Sequence, residues 1–538
     1  MDFTNAQLQA ICCRGSSVLV SAGAGSGKTR VLTERLMEYI DPQHSDAPAE
    51  DIDRFLVITF TRAAAGELRA RVTDAIAQRL RRNPQNAHLR RQILLCRNAQ
   101  IGTIHSFCAS ILREYAGALG ISPAFRILEE EKSERLRAAA LERVLDRCYE
   151  SGSEDFLSLT DRVGAGRDDT RLAELILKLH ADMQSHARPE RWVQEQIDQF
   201  SDACGEIEET PWGRELLEDA RSEASFWCEC MEEALSYMQA EEKVRQAYEK
   251  SFAETAGALR TLCTALGQGW DAAAACFPIA FPRISGIRNN PAPELAAELK
   301  NTREQCKKAM EKLAELFSAS SAQVLADLRD TAGGMRTLLT VVQELENEFS
   351  RAKTRINALD FSDLEHLSIR LLTGVDGTPS QAAEEIASRF TEVMVDEYQD
   401  VSRVQDQIFR AVSRAGENLF FVGDLKQSIY RFRLADPEIF NEKNRLYAEA
   451  GRKERVIRLQ ENFRSVPEIL NAVNAVFCRC MSERLGNLDY GPADMLVPGL
   501  EGTSSGLIPE LLLLPREEAE IPIWRPKRPR PPPRFFPS

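Results

Sequence analysis

The sequence predicts an α/β protein whose parallel sheet is interrupted by a long all-helical segment. Three observations predict it. Strand, turn and helix alternate over residues 1–125; from about Glu129 to Arg355 apolar residues recur at helical stride within highly charged segments; and strand texture returns after Asp360. A chain of 538 residues exceeds what one compact core holds, so several domains, or one domain with a large insertion, are expected.

The first strands are short runs rich in Val, Ile, Thr and Phe: "SSVLVSA" from Ser16, "RFLVITFT" from Arg54 and "AQIGTIHSF" from Ala99. Each leads into a helical pattern, as buried parallel strands do. In "EKSERLRAAALERVLDRCYE", Leu136, Ala140, Val144 and Cys148 share one helical face, with Leu141 and Leu145 beside them. The Pro/Gly-rich "FPIAFPRISGIRNNPAPE" from Phe277 reads as a loop between helical pairs. Strands resume with "TEVMVDEYQD", "NLFFVGD" and "RVIRLQENF". The expected division is a sheet domain over 1–125 and 356–465, a helical insertion over 126–355, the start of a second sheet domain over 466–520, and a Pro/Arg-rich tail over 521–538. That tail, "IPIWRPKRPRPPPRFFPS", builds no core. It reads as a disordered basic tail or, as the abrupt change after "LLLLPREEAE" favours, as an ending made by truncation or a shifted reading frame.

Composition narrows the function classes. Lys+Arg at 68 against Asp+Glu at 82 gives a net charge of -14, which excludes a chain that binds nucleic acid by overall charge; any polyanion site is local. The amino terminus lacks a secretion signal and no apolar run is long enough to cross a bilayer, so a cytoplasmic protein is expected. The 13 cysteines show no CxxC spacing and read as reduced, mostly buried small hydrophobes.

Ala22 to Thr29 reads A-G-A-G-S-G-K-T, between a strand and the helical "TRVLTERLMEYI". Glycines let the backbone curl so that several N–H groups face one set of phosphate oxygens, and the following helix N-terminus favours an anion. Gly23, Ala24, Gly25, Ser26 and Gly27 form the cradle, Lys28 supplies charge and Thr29 a hydroxyl for Mg2+. Ala22 departs from the strict pattern, yet alanine fits where the backbone keeps negative φ. Downstream, "EVMVDEYQD" places Asp396 and Glu397 after an apolar strand. Alone, adjacent acids there read as a solvated strand end. Paired with a phosphate loop, Asp396 is expected to hold Mg2+ through water and Glu397 to orient and deprotonate an attacking water.

Seven ordered blocks then resemble one family. "FTNAQLQAI", "AGAGSGKT", "TFTRAAAGELRARV", "TIHSFC", "VDEYQD", "VGDLKQSIYRFRLADP" and "LQENFRS" occur in the order of the superfamily 1, UvrD/Rep-type DNA helicases. Leu434 in "RFRLADP", where most relatives have glycine, "LDFSDLE" from Leu359, and "MSERLGNLDYGPADMLVPG" from Met481 resemble the A subunit of AddAB-type helicase-nucleases, DNA end-processing machines of recombinational repair. The resemblance implies a RecA-like motor domain split by the helical insertion, and 3'-5' movement on single-stranded DNA driven by ATP and Mg2+. It also implies action at duplex DNA ends, in a heterodimer with a second, different chain. It implies that Gln7 reads the adenine edge, Arg30 and Phe463 sandwich the adenine, Gln427 senses the γ-phosphate and Arg464 stabilises charge on the transferred phosphoryl group. The single strand would be held by Thr59, Phe60, Thr61, Thr103, His105, Ser106, Tyr430, Phe432 and Arg433. Complete relatives are far longer, with a full second motor domain and a nuclease domain; a nucleotide- and DNA-binding module without motor activity is therefore the alternative reading.

Overall fold

The computed structural model describes residues 3–44, 46–163, 169–201, 206–374, 377–483, 485–500, 506, 508 and 510. The Pro/Arg-rich tail lies outside the described residues. The chain forms two compact units, one of Met1–Thr103, Ala387–Val401 and Ser413–Ser538, the other of Ile104–Ile386 and Ser402–Val412.

The first unit carries a six-stranded parallel sheet. Its strands are β1 (Val18–Ala22), β2 (Phe55–Ile58) and β3 (Gln100–Gly102), with β6 (Glu392–Val395), β7 (Leu419–Gly423) and β8 (Arg455–Leu459) from the far end of the sequence. The order is β3-β2-β6-β7-β1-β8, so β1 lies between two strands that follow it by some four hundred residues. The apolar runs mark this burial: Val18, Leu19, Val20, Phe55, Val57, Phe420, Phe421 and Val422 are fully enclosed.

Helix α1 (Asn5–Cys12) starts on a reciprocal cap between Thr4 and Gln7. Helix α2 (Lys28–Ile40) follows the glycine-rich turn directly. Arg35 of α2 is fully buried and forms a two-pronged ion pair with Glu392 of β6, with its Nε donating to Glu392 Oε2 at 2.7 Å. Arg35 Nη1 also donates to the Ala10 carbonyl at 2.6 Å, and the Tyr39 hydroxyl to Glu392 Oε1 at 3.1 Å. These bonds satisfy a buried charge pair and tie α1 and α2 to the strand that ends at Asp396.

Among its described residues the second unit is mostly helical, with a two-residue parallel pair, β4 (Arg126–Ile127) with β5 (Ala358–Leu359), and an isolated antiparallel bridge between Thr373 and Pro379. Its longest helices are Ser321–Arg355, with 35 residues, and Pro211–Met238, with 28. Lys353, buried near the end of the first, bridges Asp360 at 3.1 Å and Asp363 at 2.7 Å, and those carboxylates cap the helix Phe361–Leu372 reciprocally. This compact unit starts at Ile104 and includes the helix Ile104–Glu114. On the apolar face of that helix Phe107, Cys108, Ile111 and Leu112 are buried.

All cysteines among the described residues are free, but fewer are buried than the sequence led one to expect: Cys96, Cys108, Cys228 and Cys306 are enclosed, while Cys478 and Cys480 are exposed. Cys228 and Cys230 show why, since residues two apart on a helix cannot both face its core. Among the described residues no helix is long and apolar enough to cross a membrane.

Candidate functional site

The glycine-rich turn is built by left-handed glycines and held from two sides. Gly25 has φ +72° and Gly27, which begins α2, φ +85°. On one side Gln7, almost fully buried, donates from Nε2 to the Ser26 carbonyl at 2.9 Å, while its Oε1 accepts from the Thr4 amide at 3.0 Å. The residue assigned by resemblance to the adenine edge thus spends both ends of its amide on the loop and on the start of α1. On the other side, the segment after β8 clasps the loop. Gly23 N–H donates to the Leu459 carbonyl at 3.1 Å and Phe463 N–H to the Gly25 carbonyl at 2.9 Å. Asn462 Nδ2 donates to the Ala24 carbonyl at 2.6 Å, and Asn462 Oδ1 accepts from the Arg464 amide at 2.8 Å.

These neighbours leave no room for a side chain at Gly25. A Cβ on Gly25 would stand 2.7 Å from Asn462 Nδ2 and 2.9 Å from Arg464 Cβ, which also places Arg464 at the loop. Ser26 Oγ is buried without a protein partner, an orphaned hydroxyl in the cradle itself. Both features fit a phosphate group. Thr29 and Asp396 line one cleft and offer a hydroxyl and a carboxylate, the kind of sparse oxygen set that Mg2+ accepts when phosphates supply the rest.

Lys28 Nζ donates to Glu397 Oε2 at 3.3 Å. Glu397 itself is left-handed, φ +52° and ψ 45°, and its carboxylate is turned back toward the loop. From there a bonded chain runs through the site. Gln399 Nε2 donates to Glu397 Oε2 at 2.9 Å and to Asp400 Oδ2 at 3.2 Å; Gln399 Oε1 accepts from the Asp424 amide at 2.9 Å; Asp424 Oδ2 accepts from Gln427 Nε2 at 2.7 Å. Lys426 pairs with the other oxygen of Asp424 at 2.9 Å. Burial, and after it the charge of Glu397, pushes the Asp396 carboxyl up to about 6 and that of Asp400 up to about 6.

One cleft of about 390 Å3 connects this chain to an aromatic row: Thr29, Asp396, Glu397, Gln399, Asp400 and Gln427 line it together with Thr59, Phe60, Thr61 and Tyr430. Phe60 stacks on Tyr430 with ring centres 4.8 Å apart and planes 24° apart, and Tyr430 meets Phe432 at 5.8 Å. Phe60 and Phe432 are exposed, so neither is a core residue. The threonines serve the backbone: buried Thr59 donates its hydroxyl to the Thr61 carbonyl at 3.1 Å, and the Thr61 hydroxyl caps α3 (Arg62–Arg82) by accepting from Ala64 N–H at 3.1 Å.

Other expected residues are placed separately. Thr103 closes its segment of the sheet unit, whereas His105 and Ser106 belong to the helical unit. There His105 Nε2 meets Glu365 Oε1 at 3.0 Å, an oxygen that also accepts from Gln405 Nε2 at 2.7 Å, and the imidazole packs on Phe361 at 4.6 Å. Ser106 is exposed. The Arg433 side chain lies outside the described residues. Arg30 stacks its guanidinium on Phe3 at 4.2 Å, while Phe463 fills the space beside Gly499. Sequence reasoning missed Phe3, Gln399 and Asn462; all three sit within quoted blocks, but their partners Arg30, Asp424 and Ala24 lie in other blocks or segments of the sequence.

Comparison with known proteins follows the same outline. The model of the UvrD/REP helicase N-terminal domain matches residues 3–448. The chain is 36% identical over 500 residues to the A subunit of the ATP-dependent helicase/nuclease of Syntrophomonas wolfei, covering 93% of this chain and 40% of that protein. It is 36% identical over 534 residues to the protein of the same description in Geobacillus thermodenitrificans, with 96% and 42% covered. With that of Pelotomaculum thermopropionicum it shares 37% over 514 residues, with 93% and 40% covered. The chain thus spans about two fifths of the length of these curated relatives. With its phosphate loop, its carboxylate strand and a family match covering most of its length, the chain belongs to the UvrD/REP helicase N-terminal domain family.

Proposed function

We propose that the chain binds ATP with Mg2+ and couples its hydrolysis to 3'-5' movement along single-stranded DNA, as the amino-terminal motor part of an AddA-type helicase-nuclease. On this reading the sheet unit is the first RecA-like motor domain, the helical unit is its insertion, and residues after Ser465 begin the second motor domain. The biological setting is recombinational repair of double-strand breaks in the cytoplasm, at duplex DNA ends and in a heterodimer with a second, different chain. The relatives' names, each the A subunit of an ATP-dependent helicase/nuclease, support a helicase part that works within a larger assembly.

The observation that carries the proposal is the shared cleft: phosphate-site residues and stacked aromatics line one space, and Gln427 lies three residues before Tyr430. In the proposed cycle the triphosphate draws Lys28 from Glu397, and Glu397 takes a proton from the attacking water. Mg2+, when bound, offsets charge on the phosphate oxygens. Arg464 lies at the loop to stabilise the transferring group. Gln427, bonded through Asp424 to Gln399 and hence to Glu397, reports the γ-phosphate to the segment bearing Tyr430 and Phe432.

The test is ATP turnover of the purified chain with and without single-stranded DNA. DNA raises turnover several-fold, Lys28→Ala abolishes it, and Gln427→Ala retains ATP binding but loses the DNA response. Turnover that is negligible and indifferent to DNA, with ATP still bound, would instead make the chain a binding module.

A further inference from the structure

Leu434 closes the loop that carries Tyr430 and Phe432. Its amide donates to the Arg431 carbonyl at 2.9 Å, and the Ala435 amide reaches the Tyr430 carbonyl at 3.3 Å. This nested pair of bonds is the helix-ending motif in which one residue must turn left-handed, and Leu434 does so with φ +65° and ψ 16°. Glycine is the ordinary occupant, because a Cβ there crowds the neighbouring carbonyl. A branched apolar residue is the unfavourable choice, and burial does not compensate for it, since Leu434 is 40% exposed. Two other large apolar side chains in the same six residues are more exposed still, Ile429 at 69% and Phe432 at 76%. The loop holds a strained leucine at the surface, two residues after Phe432, the last ring of a row that runs from Phe60 through Tyr430.

We infer that Leu434 is a further contact for single-stranded nucleic acid, an apolar ledge at the end of the aromatic row on which the base or sugar next to Phe432 rests. The inference rests on the single-strand reading proposed above. The occupant is an unpaired nucleotide because the loop that ends at Leu434 carries Tyr430, stacked on Phe60, and the exposed Phe432, aromatic faces that suit bases. An apolar contact of this kind tolerates every base, so it adds grip without sequence preference. It also explains why a left-handed position carries a side chain at all: the turn alone would be served better by glycine.

The test compares Leu434→Gly, Leu434→Ala and Phe432→Ala in the full chain. It uses fluorescence anisotropy of a fluorescein-labelled oligothymidylate, with thermal unfolding measured in parallel. The ledge predicts that the Gly and Ala variants weaken binding alike, by about three- to tenfold, a smaller loss than for Phe432→Ala. Stability follows the backbone instead, with the Gly variant melting above the Ala variant because glycine relaxes the left-handed turn. If both Leu434 variants bind as tightly as the parent while Phe432→Ala binds weakly, the ledge is refuted and the aromatic row stands. Parent-like binding by Leu434→Gly alone would show that the turn, not the side chain, sets affinity, and would likewise overturn the inference. A parent chain that does not bind the oligonucleotide removes the underlying single-strand reading and this contact with it.

Discussion

Two left-handed turns lie at the ends of neighbouring parts of one sheet, and they solve the same backbone problem with opposite residues. After β1 the chain turns on Gly25 and Gly27; after β6 it turns on Glu397. In the first turn the backbone is the functional group on the proposed reading, and added side chains are excluded because Asn462, Arg464 and Gln7 crowd Gly25 and Gly27. In the second the side chain is the functional group, and the chain accepts a non-glycine residue at φ +52° to aim a carboxylate at Lys28. On the proposed reading, glycine marks where ligand would meet backbone and the strained residue where it would meet a side chain.

Exchanging the two solutions breaks the comparison most sharply. Glu397→Gly removes the strain and the base together: turnover falls by roughly 10^2- to 10^4-fold while the melting temperature does not drop, as paired kinetic and thermal measurements will show. A variant that loses stability along with turnover would mean the left-handed glutamate is not strained. The reverse exchange, Gly25→Ala, costs about 1–2 kcal/mol in the left-handed turn and further overpacking against Asn462. Calorimetric titration should show ATP affinity down on the order of a hundredfold, with far-UV circular dichroism unchanged.

A milder change sharpens the picture of how the loop is held. Asn462→Ala deletes the bond to the Ala24 carbonyl and the acceptor for the Arg464 amide. ATP affinity should weaken by about fivefold, the equivalent of about 1 kcal/mol. Equal affinity would show that the glycines hold their shape unaided. The smallest effect is electrostatic. Asp400 has a carboxyl pushed up to about 6, above its unfolded value near 4, so the folded chain binds the extra proton between those limits. Protons bound by the folded state exceed those bound by the unfolded one in this window, so the contribution of Asp400 to stability declines as pH rises from about 4 to about 6. In urea melts at pH 5 and pH 7, Asp400→Asn should reduce that decline by about 1 kcal/mol.

What the sequence made legible was local. The loop, its flanking strand and helix, and the carboxylate strand are each written within a dozen neighbouring residues, where glycine, β-branched and apolar patterns act directly on the backbone. The order of the strands was not legible, since β1 pairs with segments some four hundred residues away and nothing local specifies which. For the same reason Asn462 escaped notice, because its partner is Ala24. His105 was read with a DNA-facing block, yet its partner is Glu365, on a helix reached only through the fold. Where the helix Ile104–Glu114 packs depends on what its apolar face finds as a partner, and amphipathicity names a face without naming its neighbour.

The placement of β1 has a consequence for how this protein comes into being. Val18–Ala22 leaves the ribosome some four hundred residues before its two neighbours in the sheet, Leu419–Gly423 and Arg455–Leu459. At ordinary rates of synthesis that interval is about 20–80 s. Throughout it, an apolar strand and the glycine turn behind it have no lateral partner, while the helical segments, rich in near-neighbour contacts, emerge and fold in order. The glycine turn is thus translated some four hundred residues before the strands that complete its sheet, so across that interval the nascent chain depends on protection from premature strand pairing with other chains.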